Sequence, residues 1–375
     1  MHVYVTIKAL ENMALMTRWI KILSCRDVKE VFLDATKEDI DHYYENYDED
    51  YSYINDNSVS PISQLIRDGY ISPNPAKQKI LDIKNSPEKV LEDPSAIYFL
   101  DVTTEEADCI QKKYGVICKN ESDIDDTELN NWGEIISCEG ELDHSWKEIL
   151  SKIRQSPTNT IIVSDRYIFS NDKNANDRGE GENYSGMDNV VEIINAILPL
   201  SFSKNNYYDV LILFSWKLDK TGRTCPISFN KIAKKLAGRI KSLRDSYNIR
   251  VEVVSIPYGA EGYEKTHNRR VVTNYHVIRT EQDLKAFRGD KSICSQTINW
   301  DSLFSKGIID NNDRPIKNHV ILVNGISYIN SYGTKHLETC MYEYSIDGIC
   351  PKSAIDNKKV IFSEIQNRLV KSVMK

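Results

Sequence analysis

The sequence predicts an α/β protein in two parts: a C-terminal mixed sheet with helices on its faces, preceded by a smaller α/β unit. Three observations carry this. Short β-branched runs of strand length alternate along the chain with amphipathic stretches of helix length. The length, 375 residues, is enough for two domains. The charge is also polarised. Residues 1–150 hold 15 Lys and Arg against 31 Asp and Glu, and residues 151–375 hold 33 against 24, so the net −7 conceals −16 followed by +9. The expected parts are an acidic interaction domain over 1–150 and a basic domain over 151–375.

Taken in order, "HVYVTIK" at 2–8 alternates as a strand, 11–24 reads as helix, and "KEVFLD" at 29–34 as a second strand. Residues 38–57 follow with eight acids, five tyrosines and no Lys or Arg, which reads as a solvated helix end and loop, as a mimic of nucleic-acid charge, or as a docking surface for a basic partner. Short helices broken by prolines lead to a buried strand at 96–103. "TEEADCIQKKYG" then opens on a Thr cap, carries acids in its first turn and stops at Gly115, and the strand "VICKN" completes a β-α-β unit. "ESDIDDTELNNWGEIIS" is polar and reads as a surface loop.

Past 150 the pattern becomes regular. The expected order is a strand at 158–170, a long polar loop, the helix "MDNVVEIINAILP", the strand "DVLILFSW", and a helix with Ile232, Leu236, Ile240, Leu243 and Tyr247 on one face. A strand at 249–258 and another in "EKTHNRRVVTNYHVI" at 264–278 follow, then "HVILVNGISYIN" at 319–330 as strand and 359–374 as helix.

Several classes are not indicated. No apolar run approaches a membrane span, and the N-terminus has no basic leader with an apolar core, so a cytoplasmic protein is expected. The eight cysteines lie singly and read as reduced, mostly buried thiols. No zinc, EF-hand or G-x-S-x-G spacing occurs, and neither metal nor cofactor is expected.

The chemistry concentrates in "THNRRVVTN", which reads H-x-R-x4-N with His267, Arg269 and Asn274. On a strand, His267 and Arg269 share a face and can meet one phosphate, the guanidinium by paired hydrogen bonds and the imidazole as nucleophile or proton donor. Arg270 adds a further cation. Asn274 falls on the other face unless a bulge intervenes. Equally, this is a polar strand entrance bonded to a loop.

This spacing resembles the H-x-K-x4-D motif of the phospholipase D superfamily, with Arg269 for the lysine and Asn274 for the aspartate. The preceding order of strand, helix and strand is similar as well. It resembles more closely the degenerate phospholipase D-like modules whose strand reads H-D-R, such as the C-terminal domain of MIT-domain proteins. The likeness covers roughly residues 158–290. It implies a fold kept for binding phosphorylated surfaces or partners rather than for hydrolysis. An active member resembles two half-sites facing each other, and one copy is visible here, so catalysis would need a homodimer. His267 would then attack phosphorus and Arg269 would stabilise the developing charge, without a metal. The style of the chain also resembles components of prokaryotic antiphage defence systems.

Two further features join this candidate site. In "SDRYIFSND", Asp165 and Arg166 sit where a strand meets a long loop, placed to orient His267 and to add a phosphate contact, or simply to pair with each other. The stretch 217–250 holds ten Lys and Arg against two Asp. Its Lys231, Lys234, Lys235, Lys241 and Arg244 form a basic helix edge able to track phosphates, or an ordinary solvated face. The leading expectation is a non-hydrolytic phosphate-recognition module, with nucleic acid as ligand. The alternatives are a homodimeric, metal-independent phosphodiesterase or nuclease, and a pure protein-interaction subunit.

Overall fold

A computed structural model describes residues 2–24, 30–45, 60–125, 136–138, 145–151, 156–169, 185–214, 229–255, 269–281, 284–288, 291–292, 297–302, 338–346 and 365–374. Among the described residues it is a mixed α/β protein with one parallel and one mixed sheet, each flanked by helices, and a small two-stranded antiparallel ribbon. The described residues divide into two compact units, one ending by Asp125 and the other starting by Ile136. Among the described residues, no helix is long and apolar enough to cross a membrane.

The first unit contains β1 (His2–Val5), α1 (Ile7–Ala14), α2 (Thr17–Leu23), β2 (Glu30–Leu33), α3 (Lys37–Glu45), α4 (Pro61–Arg67), β3 (Pro73–Pro75), α5 (Lys77–Asn85), a 3-10 turn (Pro87–Glu92), β4 (Ile97–Leu100), α6 (Thr104–Tyr114) and β5 (Ile117–Asn120). Its strands are parallel in the order β3-β2-β1-β4-β5. The expected strand at 2–8 stops at Val5, because the Thr6 hydroxyl accepts from the Ala9 amide and starts α1. Helix α6 has the capping box foreseen for it, Thr103 with Glu106, and ends on Gly115 at φ 63°. Of the acidic run, α3 takes the first part, and 46–57 lies outside the described residues.

The second unit contains β6 (Ile136–Cys138), α7 (Trp146–Ser151), β7 (Thr160–Ser164), α8 (Ser185–Ile197), β8 (Tyr207–Phe214), α9 (Phe229–Lys241), β9 (Asn248–Ser255), β10 (Arg270–Thr273), β11 (His276–Thr280), β12 (Phe287–Arg288), β13 (Lys291–Ser292), β14 (Ile298–Ser302), β15 (Glu338–Tyr344) and α10 (Arg368–Met374). The large sheet runs β15-β9-β8-β7-β10-β11-β14-β6, with β7, β8 and β9 parallel and β10 antiparallel to β7. Two expectations change here. Ile136–Cys138, read as loop, pairs with β14 at the sheet edge. Trp146, placed ahead of a boundary drawn from surface charge, belongs to this unit: its indole donates to Asn189 and its ring meets Phe287 edge-on. Residues 319–330 lie outside the described residues.

Strand alternation sorts this sheet into two faces. One carries Ile162, Leu211, Leu213, Val254, Val272 and Val277 and packs against Ile365, Leu369 and Val370 at α10. The other carries Phe214, which meets Phe229 of α9 at 5.9 Å, and α9 turns its buried stripe from Phe229 through Ile240 inward. A polar clasp fixes α10 at the amino end of β8. Asp209, fully buried, pairs with Arg250 at 2.8 Å and with Arg368 at 2.9 Å. Glu252 beside it accepts from the Gln366 amide at 2.5 Å.

Burial, and then the neighbouring Asp209, push the Glu252 carboxyl from 4.5 up to about 7, against the pull of Arg250 and the backbone amides of Gln366 and Asn367. The folded chain therefore holds a proton that the unfolded chain has released between pH 4.5 and about 7. This contribution to stability is complete below pH 4.5 and is lost as the pH rises through 7. Glu252→Gln should accordingly be more stable than wild type at pH 8, by an amount on the order of 3 kcal/mol, and lack that slope. Urea unfolding at pH 5 and pH 8 checks this; parallel pH profiles for the two proteins would sink it.

Candidate anion-binding site

Parallel strands β7, β8 and β9 end together at Ser164, Phe214 and Ser255. Because β10 runs the other way, its first residue, Arg270, lies opposite Ser164 at this carboxyl edge. Loops at the carboxyl ends of parallel strands are where open α/β sheets bind ligands. The chain turns there through Asp165, whose carboxylate accepts from the Tyr167 amide at 2.9 Å and from the Leu284 amide at 2.6 Å, while its own amide donates to Leu213. Asp165 is fully buried. Its oxygens shape the turn, and it does not reach outward as a ligand-binding group.

The turn carries Arg166, which is buried, and Tyr167, which is half-buried. The Arg166 guanidinium lies 5.7 Å from the Tyr167 ring centre, and that of Arg269 lies 5.7 Å from the same centre. One aromatic ring thus gathers two cations. Arg269 also donates to the Glu281 carbonyl at 2.8 Å, which fixes its direction. On the neighbouring residue, Arg270 stands directly across the ladder from Arg279, which puts their Cβ atoms about 5 Å apart. Burial, then Arg279, lowers Arg270 below the ordinary guanidinium value. The two guanidinium groups bring like charge to one place on the ladder, and each can fork onto the oxygens of an anion. Two guanidinium pairs therefore lie at this sheet edge, one about the Tyr167 ring and one across the β10–β11 ladder.

No family model matches this sequence, and no curated protein matches it.

Arg166 and Arg269 meet at the Tyr167 ring, and Arg270 stands across the ladder from Arg279. His267 lies outside the described residues. Asn274 requires correction. It sits in the turn joining β10 to β11, four residues from Arg270, so strand rise alone separates them by roughly 13 Å. There it is fully buried and accepts from the Asn159 amide at 3.3 Å. Asparagine suits a two-residue hairpin turn, and this one closes a hairpin. It therefore faces a different edge of the sheet and cannot share an anion with Arg269.

The basic helix also divides. Lys231 and Lys234 are exposed, and Lys235 and Lys241 are half-buried. Helix α9 starts beside Phe214 at the arginine edge and runs about 20 Å toward the other. Lys231 is therefore near the cluster and Lys241 far from it. Arg244 caps the end of α8: it donates to the carbonyls of Asn195, Leu198 and Pro199 and to the Asn195 side chain, at 2.8–3.1 Å. That accounts for Arg244 structurally and takes it off the proposed surface.

Tyr167 and Arg279 were not singled out from sequence. Reading "TNYH" as a two-residue hairpin turn would have paired Arg270 with Arg279 by counting outward. His276 is buried as well, beside Ser156, Thr273 and Trp300. These residues line a cavity of about 20 Å³, room for one water.

Proposed function

We propose that the second unit is a phosphate-recognition module, phospholipase D-like in kind, that binds a phosphate-bearing polyanion without cleaving it. The observation that carries this is the placement of two arginine pairs, Arg166 with Arg269 and Arg270 with Arg279, at the carboxyl edge of the parallel strands. Guanidinium forks match phosphate oxygens in pairs, and the low local screening at a half-buried edge strengthens such bonds. Support also comes from the strand-helix-strand order leading into the arginine-bearing strand, which is the order the resemblance implies. Lys231 extends the positive surface. Nucleic acid is the ligand this chemistry suits, and a place in a defence-type system fits that ligand.

The test is binding of labelled oligonucleotides over a salt series. Affinity should fall steeply with salt, and Arg269→Ala should weaken binding and flatten the log–log salt slope by about 1. A slope unchanged in that variant would remove Arg269 from the site. No binding at low salt would remove the reading altogether. Incubation without added metal should leave the oligonucleotide intact; cleavage that disappears in His267→Ala would replace this reading with the phosphodiesterase one.

A further inference from the structure

The parallel strands of the first unit end on one edge, at Val5, Leu33, Pro75, Leu100 and Asn120. The chain builds outward from β1 through β2 to β3, then crosses to the other side of β1 for β4 and β5. Open parallel sheets bind small ligands outside the carboxyl ends of their strands, about such a reversal. This edge bears an open cleft of about 480 Å³, lined by Ala35 and Thr36 after β2 and by Pro75 through Lys79 at the end of β3. Most polar groups around it are paired. Lys8 meets Glu121 at 3.0 Å, and Lys84 meets Asp101 at 3.2 Å. Gln78 donates to Asp82 at 2.8 Å, Lys79 to the Tyr4 hydroxyl, and the Thr36 hydroxyl to Asp39 at 3.0 Å. Two groups stand apart. Among the described residues, the half-buried Asp34 carboxylate and the exposed Lys77 ammonium have neither a hydrogen bond nor an ion pair. Asp34 adjoins the cleft wall at Ala35. Its charge is felt by Lys84 and Lys77 on α5 and by Asp101 and Glu121 beyond β4 and β5, so it stands over the middle of the edge. Burial raises its carboxyl above the ordinary value, against the pull of Lys84 and Lys77. An unfilled, half-buried acceptor beside a cleft is a place for the donors of a ligand.

We propose that the first unit binds a phosphorylated pentose at this edge, free or within a mononucleotide, with the sugar hydroxyls donating to Asp34 and the phosphate entering the cleft to meet Lys77. Adjacent hydroxyls of a sugar match the paired oxygens of a carboxylate, and a phosphate matches an ammonium. The ligand supplies donors and negative charge where the edge has a spare acceptor and a spare cation. A dinucleotide seated on α1 is excluded by the turn after β1. No glycine occurs there, and the buried Thr6 hydroxyl already caps the helix, which leaves no opening for a pyrophosphate. This site is separate from the arginine edge of the second unit and does not depend on it.

Isothermal titration calorimetry of the full chain with ribose 5-phosphate, AMP, ribose, inorganic phosphate and L-alanine tests this. Ribose 5-phosphate or AMP should bind at least about tenfold tighter than ribose or phosphate alone, because each joins both contacts in one molecule. The tighter of the two identifies the source of the sugar phosphate. Lys77→Ala and Asp34→Ala should each weaken that ligand by about tenfold. Arg269→Ala should leave its affinity unchanged, which separates this site from the one in the second unit. If L-alanine binds as tightly as the sugar phosphate, the edge takes a zwitterion and the proposal is wrong. It is wrong as well if neither ribose 5-phosphate nor AMP binds, or if the Asp34 and Lys77 variants bind them as the wild type does.

Discussion

Asp209→Ala should destabilise the second unit by about 3 kcal/mol, because it leaves two half-buried guanidinium groups without their shared, fully buried carboxylate. In the native chain, Asp209 is fully buried and bridges Arg250 on β9 to Arg368 on α10. Its carboxylate also accepts from the Arg368 amide at 3.0 Å, so it caps the helix as well as pairing with the side chain. Glu343, 3.7 Å from Arg250, can take up part of one charge and none of the other. For a unit of this size the loss corresponds to a fall in Tm of roughly 10 °C. Asp209→Asn should lie between, since the amide oxygen still accepts hydrogen bonds. Thermal unfolding followed by circular dichroism decides the matter; an alanine variant within about 1 kcal/mol of wild type would show that the pair acts like an exposed one.

The second large effect is Gly186→Ala. A Cβ at Gly186 would lie 1.9 Å from the Ile168 carbonyl oxygen and 2.9 Å from its carbon, and both are backbone atoms. No rotamer relieves such a contact, so either α8 or the turn below it must move, at a cost of roughly 3 kcal/mol or more. Gly238 on α9 is the control: a Cβ there meets nothing within 4 Å, and alanine in a helix interior should add about 1 kcal/mol of stability. The turn displaced by Gly186→Ala carries Arg166 and Tyr167, so oligonucleotide affinity should fall in that variant even where it still folds. A Gly186→Ala protein as stable and as tight-binding as wild type would mean that the helix and turn pack less closely than they do here.

The elements that could be read from the sequence were those whose local signals agree. "TEEADCIQKKYG" carried a cap, acidic first turn and terminal glycine, and α6 has all three. The alternation of strand and helix from 158 onward is present as β7, α8, β8, α9, β9 and β10 in order. What failed depended on which hydrogen-bond partners the chain chose. Thr6 looked like one more residue of an alternating strand, and only the hydrogen bond of its hydroxyl to a later amide makes it a helix cap. Ile136–Cys138 is too short to show periodicity and is a strand only because β14 pairs with it. At the site, Arg166 and Arg269 were legible as cations at strand ends. Tyr167 between them, and Arg279 opposite Arg270, depend on a turn and a register that spacing along one strand does not contain. Asn274 was misplaced for the same reason, since counting along a motif ignores the hairpin that carries it to another edge.

The clasp between Asp209 and Arg368 joins residues 159 positions apart. During synthesis, β8 and β9 leave the ribosome long before α10 exists. Until then the face formed by Leu211, Leu213 and Val254 is uncovered, and Asp209 and Glu252 lack the backbone amides that later bind them. Completion of this unit is consequently a late event that waits on a distant stretch of chain, and the nascent sheet is open to chaperones, or to aggregation, throughout that interval.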